Sequence, residues 1–155
     1  LHIVPVSISY EYDACDVLKA DELYQIATTG NYEKDDSTDI KSIVAGMIGF
    51  KGKVHVAFGQ ELRVISDDPF NVALDIDAQI LQNYALTEVN FLAIERLKQD
   101  GMLPLHLLRP GFDKHEISAK ARSAFEERIK TVDPKLMRHW LYSYANPVIA
   151  RFKIE

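Results

Sequence analysis

The spacing of apolar residues changes several times along this chain, and each change marks a predicted element. Leu1-His2-Ile3-Val4-Pro5-Val6-Ser7-Ile8-Ser9-Tyr10 reads at once as an apolar, β-branched strand, with no turn or cap before it. It is too short and too rich in Ser and Pro for a signal-peptide core or a membrane helix, which needs about 20 apolar residues. The chain is therefore expected to be a downstream piece of a longer protein that starts at or inside a strand; a processed native N-terminus is the alternative. A first helix is predicted over 21–29, with Leu23, Ile26 and Ala27 on one face and Gly30 or Asn31 ending it. After a polar, acidic loop over 31–38, Ser37 or Asp36 can cap a helix. Its apolar positions Ile40, Ile43, Val44, Met47 and Ile48 keep the spacing of a buried stripe. Gly49-Phe50-Lys51-Gly52 breaks that helix, and 53–59 follows as a strand with Val54, Val56 and Phe58 on one face.

From residue 71 onward the pattern is helical. Asp67-Asp68-Pro69-Phe70 signals a turn or a helix start, and Ile76, Ile80 and Leu81 share a face of a helix near 72–83. Val89, Leu92, Ala93 and Leu97 do the same in a helix closed by Gly101. The stretch 102–111 carries two prolines and is predicted as a connecting loop. Beyond it, 114–130 shows Ile117, Ala121, Ala124, Phe125 and Arg128 at helical spacing. Asp133-Pro134 is predicted to open a helix that runs to about Tyr144 and is stopped by Asn146-Pro147, with 148–155 as a tail or short strand. No internal repeat, low-complexity tract or flexible linker is present; 104–111 is the best candidate for an internal boundary.

Composition narrows the class. The 155 residues are 47% hydrophobic and 26% charged, the balance of a globular chain. The single cysteine, Cys15, excludes an internal disulfide framework and any zinc site built from several thiolates, and is in keeping with a reducing compartment. A net charge of −5 argues against a general nucleic-acid binder, which neutralises phosphates with Lys and Arg. That charge is uneven: residues 1–104 carry 8 basic and 17 acidic side chains, and residues 105–155 carry 10 and 6. The last third is thus a cationic segment on an acidic chain, with His106, His115 and His139 in or near it.

The usual catalytic signatures are missing. There is no Gly-x-Ser-x-Gly elbow, no His-Glu-x-x-His pair, and no histidine near Cys15 in the sequence. Gly46-x-x-Gly49-x-x-Gly52 matches neither a phosphate loop nor a dinucleotide fingerprint and is expected to end a helix and turn the chain. Asp75 and Asp77 are expected near a helix start, where the dipole favours carboxylates, rather than as metal ligands. His55 is expected as a strand histidine hydrogen-bonded to a neighbour or to solvent, with catalysis as the alternative.

Ile3-Val4-Pro5-Val6-Ser7-Ile8 resembles the fourth conserved block of the glycerolipid acyltransferases, the superfamily of glycerol-3-phosphate and lysophosphatidic acid acyltransferases. The resemblance continues through Tyr10-Glu11-Tyr12, Asp21-Glu22-Leu23 and Gly30. It also covers Gly52-Lys53-Val54-His55-Val56-Ala57-Phe58-Gly59-Gln60-Glu61-Leu62, which looks like that family's last core strand. It is good over residues 1–65, fainter to about 95, and absent from 100–155.

The resemblance implies an α/β fold: residues 1–70 as the C-terminal part of an acyltransferase-like sheet-and-helix domain, and 71–155 as a mainly helical extension or cap. It implies transfer of a fatty acyl group from a coenzyme A or acyl-carrier-protein thioester to glycerol-3-phosphate or lysophosphatidic acid, with no cofactor beyond the thioester co-substrate. Val4, Pro5 and Val6 would line or support the acyl and acceptor pocket, although an ordinary strand covered on both faces accounts for them equally well. The family's His-x-x-x-x-Asp block is absent, because Ser7, Gln60, Gly111, Lys120 and Tyr144 stand five residues after the five histidines. No catalytic residue is therefore assigned, and the chain alone is expected to be inactive. A cytoplasmic place follows, at the inner membrane face if the cationic third contacts anionic membrane, coenzyme A phosphates or acyl carrier protein; an ordinary solvated helical face is the alternative reading of that segment. An unpaired sheet edge makes a homodimer a further expectation. The competing reading is a non-catalytic module that binds acyl carrier protein, a partner protein or anionic membrane.

Overall fold

The computed structural model describes residues 2–33, 36–63, 68–103, 106, 108–112 and 115–153. Leu1, Asp67, Pro104, Lys114, Ile154 and Glu155, which enter the expectations above, lie outside them. The chain is mixed α/β and mostly helical, with six helices and one small two-stranded sheet among the described residues. The order is β1 (Val6–Tyr10), α1 (Asp16–Thr29), α2 (Asp36–Ile48), β2 (Val54–Phe58), α3 (Pro69–Asn83), α4 (Glu88–Gln99), α5 (Ala119–Ile129) and α6 (Met137–Phe152).

The two strands pair antiparallel, with Val6 opposite Phe58, Ile8 opposite Val56 and Tyr10 opposite Val54 on one face, and Ser7 opposite Ala57 and Ser9 opposite His55 on the other. Backbone bonds carry the pairing outward at both ends, from Gly59 N–H to the Pro5 carbonyl (2.8 Å) and from Glu11 N–H to the Lys53 carbonyl (2.8 Å). Gly52, at φ 62°, lets the chain re-enter the sheet beside Glu11, whose carboxylate accepts from the Lys53 amide.

The core is helical. Apart from Pro5, Tyr12 and Ala20, every buried apolar side chain among the described residues lies between Val89 and Val148, and Trp140 is the largest. α4 packs along α6, α5 closes against α4, and α1 lies on α6. The predicted stripe Val89, Leu92, Ala93 and Leu97 is buried as its spacing requires. Asn90 joins that face because it is satisfied there: its Oδ1 accepts from the Thr87 N–H (2.7 Å), and its Nδ2 donates to the Tyr144 carbonyl (2.8 Å).

Several elements differ from the sequence expectation. α1 begins at Asp16, not residue 21, and turns Ala20 and Asp16 inward while Leu23 and Ile26 stay exposed, because its contact surface is α6. α2 forms as predicted, but Ile40, Ile43, Val44, Met47 and Ile48 are exposed, with Ile48 at 80%. α5 starts at residue 119, where the Ser118 hydroxyl caps the Ala121 amide (3.1 Å). Asp133-Pro134 forms a turn rather than the first helical residues, and α6 begins at Met137.

Pro147 does not stop α6, which continues to Phe152. A proline inside a helix costs about 3 kcal/mol. Burying one side chain the size of Val148 stabilises by about 1.5–3 kcal/mol, and Ile149 and Phe152 also pack on the core, so continuing the helix wins.

Candidate functional site

The Val4-Pro5-Val6 segment enters the sheet with its side chains divided between two faces. Val4 and Val6 are 46% and 39% exposed on the outward face, while Pro5 is buried with Ser7 and Ser9 on the inward face. This inverts the usual half-buried strand pair, where branched residues face the core and small polar ones face water. Ile8, Val54, Val56 and Phe58 extend the outward apolar face. Inward, the Ser9 hydroxyl accepts from the Ala85 amide (2.9 Å), α3 packs on β1, and Ser7 Oγ finds no hydrogen-bond partner among the described residues.

Beneath β1 and β2 lies a cleft of about 520 Å³, lined by Ser9, Glu11, Lys53, His55, Glu88 and His115 among others. β1 leads into Glu11, β2 carries His55, and the first turn of α4 supplies Glu88. His115 is fixed by stacking on Phe91, with ring centroids 4.0 Å apart. Glu88 is held in its charged form chiefly by the Ser118 amide, and Lys53 and His115 add to the effect, so its carboxyl lies below the usual range. Two imidazoles, two carboxylates and an ammonium thus face one opening. That is a set able to bind a small polar molecule and to exchange protons with it.

A lowered carboxyl pKa contributes stability above the ordinary carboxylate range, and that stability is lost as the pH falls through the folded value. Glu88→Gln is therefore expected to flatten the fall of the melting temperature between about pH 5 and pH 3. Parallel acid limbs for the two proteins would show that the Ser118 contact carries no such linkage.

The remaining sequence candidates are dispersed. His2 pairs with Glu61, His106 is exposed, and His139 meets the edge of the Tyr24 ring at 6.3 Å between centroids. Cys15 donates its thiol to the Ser42 carbonyl (3.3 Å). Asp75 and Asp77 are exposed in the middle of α3 and not at its start, because that helix begins at Pro69 under an Asp68 cap, whose carboxylate accepts from the Phe70 amide (3.0 Å). Gly49 and Gly52 turn the chain as expected, with a Cβ at Gly49 falling 2.7 Å from that of Ala14, whereas Gly46 is inside α2. Among the described residues, no group of three or more His, Cys, Asp or Glu side chains could hold a metal ion, and no helix is long and apolar enough to cross a membrane.

No protein-family model, curated protein or solved structure matches the chain.

The most concentrated chemistry lies at a position to which no motif pointed. Asp16, in the first turn of α1, is 2% exposed. Its Oδ2 accepts from Arg128 Nη2 (2.8 Å), Trp140 Nε1 (2.7 Å) and the Tyr144 hydroxyl (2.6 Å). Burial, and then the Asp16 charge, push the Tyr144 phenol far above its usual value and keep it a donor. Burial works against the Arg128 cation, but Asp16 outweighs it and the guanidinium is held more firmly charged. Every polar group in this cluster is engaged by another residue of the chain, so it ties α1 to α5 and α6 rather than offering a ligand site.

Proposed function

We propose that this chain is the downstream part of a glycerolipid acyltransferase, which moves a fatty acyl group from a coenzyme A or acyl-carrier-protein thioester to the hydroxyl of glycerol-3-phosphate or lysophosphatidic acid. In this reading residues 1–70 belong to an acyltransferase-like sheet-and-helix domain, and 71–155 form a helical extension. The observation that carries it is the outward apolar face of β1 and β2. It coincides with the two family-like stretches around Pro5 and Val56, and it is the surface a continuing sheet and its helices would cover. Val4 and Val6 then lie toward the covering half and its acyl and acceptor pocket, and Pro5 supports the strand from beneath. General-base catalysis on the acceptor hydroxyl falls to a His-x-x-x-x-Asp pair outside this chain. The enzyme would work in the cytoplasm, at the inner membrane face, with the cationic third toward anionic lipid or acyl carrier protein.

A second reading is a non-catalytic module, favoured by the core between Val89 and Val148, which closes within the helical part while the cationic third supplies α5 and α6. The test compares thiol release from acyl-coenzyme A, with glycerol-3-phosphate or lysophosphatidic acid as acceptor, for the 155-residue chain and for the polypeptide encoded with its upstream sequence. No turnover by the first and turnover by the second is the expected result. Turnover by the chain alone, or an upstream sequence without His-x-x-x-x-Asp, overturns the acyltransferase reading.

A further inference from the structure

Sharing no lining residue with the His55 cleft, the end of α3 and the second half of α6 enclose an opening of about 570 Å³. Leu81, Tyr84, Pro147 and Ala150 give it apolar walls, and Asn146 and Arg151 place polar groups on them. The Arg151 guanidinium is fixed in place: Nη2 donates to the carbonyls of Leu81 (3.0 Å) and Tyr84. Those bonds engage Nη2, and Nε and Nη1, which carry three of the five N–H donors of an arginine, have no partner among the described residues. No carboxylate among the described residues pairs with it. Neither 78–87 nor 140–153, the segments that supply the walls, contains an Asp or Glu, while Arg151 and Lys153 are their charged residues. Arg109 adds a second guanidinium next to Arg151, its Nη2 donating to the Arg151 carbonyl (3.2 Å). Asp75 and Asp77 lie earlier in α3 and do not line the opening.

We infer that this cleft binds a small organic carboxylate, an apolar body seated between Leu81, Tyr84, Pro147 and Ala150 with its anionic head on Arg151. The apolar walls supply affinity without direction, and the guanidinium, kept in place by two carbonyls and paired with no carboxylate among the described residues, selects the charge. Pro147 has a role here as well: the residue that strains α6 supplies one of the walls. The site does not depend on the acyl-transfer reading, since its walls lie outside residues 1–65.

Titration calorimetry of the 155-residue chain with octanoate and with octan-1-ol tests it. Octanoate is expected to bind at one site and at least about tenfold more tightly than the alcohol. Arg151→Gln should remove that preference, so that octanoate binds no more tightly than octanol. Ala150→Phe, at an exposed helical position that should fold normally by circular dichroism, should abolish binding of both by filling the cleft. Val56→Lys, on the outward sheet face, should change neither. Octanoate binding that survives Ala150→Phe, that is lost in Val56→Lys, or that is absent from the unmodified chain overturns the assignment.

Discussion

Asp16→Ala is expected to lower the stability of this chain by about 3–5 kcal/mol, the cost typical of removing one partner from a buried, hydrogen-bonded ion pair. Three donors lose their acceptor at once: the Arg128 guanidinium, the Trp140 indole N–H and the Tyr144 hydroxyl. Trp140 is fully buried and Tyr144 nearly so, and neither can turn to water; Arg128, over the Tyr12 ring at 5.0 Å, is part-buried and can do so only in part. For a domain whose total stability is of order 5–15 kcal/mol, this is a large fraction. At 2–4 °C per kcal/mol the melting temperature should fall by roughly 6–20 °C. Asp16→Asn keeps the shape and one acceptor but removes the charge, and should lie between the two. Adding Arg128→Met to Asp16→Ala removes the orphaned cation and should recover part of the loss, giving a favourable coupling in the double-mutant cycle. A melting temperature within 2 °C of the unmodified chain for Asp16→Ala would mean that the cluster does not hold α1 to the bundle.

The same cluster marks the limit of what local sequence can report. Asp16 sits in an acidic stretch with no periodic signal of its own, and its partners are 112, 124 and 128 positions away. Features decided within a few residues were legible: Gly30 ends α1 in the left-handed conformation, Asp68 and Pro69 start α3, and Val54, Val56 and Phe58 share a strand face. The stripe of α4 was legible too, since α4 packs on α5 and α6 and its apolar positions are buried. The stripe of α2 is spaced just as well, yet Met47 is 76% exposed. Spacing shows which face of a helix needs cover; it does not supply the cover. Pro147 failed in the opposite direction, because a local rule worth about 3 kcal/mol was outweighed by packing that lies beyond the proline itself. For the candidate site, His55 and His115 stood out singly, but their meeting across one cleft with Glu11 and Glu88 depends on where the fold places β2, the start of α4 and the stretch before α5, which no one stretch encodes alone.

Val56→Lys is expected to have opposite consequences in two settings. In the 155-residue chain Val56 is 49% exposed on the outward face of the sheet, so a lysine there keeps its ammonium in water. The change should stay within about 0.5 kcal/mol, as surface substitutions generally do. Phe58→Lys, at a side chain 74% exposed, should behave the same way. In a longer polypeptide whose upstream half continues the sheet, the same lysine would be sealed beneath the covering layer without a carboxylate opposite, since Ile8 is its cross-strand neighbour. An unpaired buried charge then costs several kcal/mol, on the order of the Asp16 loss, and acyl transfer should fall with it. Urea unfolding of both lengths with and without the substitution measures the contrast directly. Equal tolerance in both would mean that the outward face stays open in the longer protein, and the acyltransferase reading would lose the observation that carries it. A large loss confined to the longer protein would instead explain why every exposed large hydrophobic side chain among the described residues except Met102 falls between Val4 and Leu81: these residues form one half of a core.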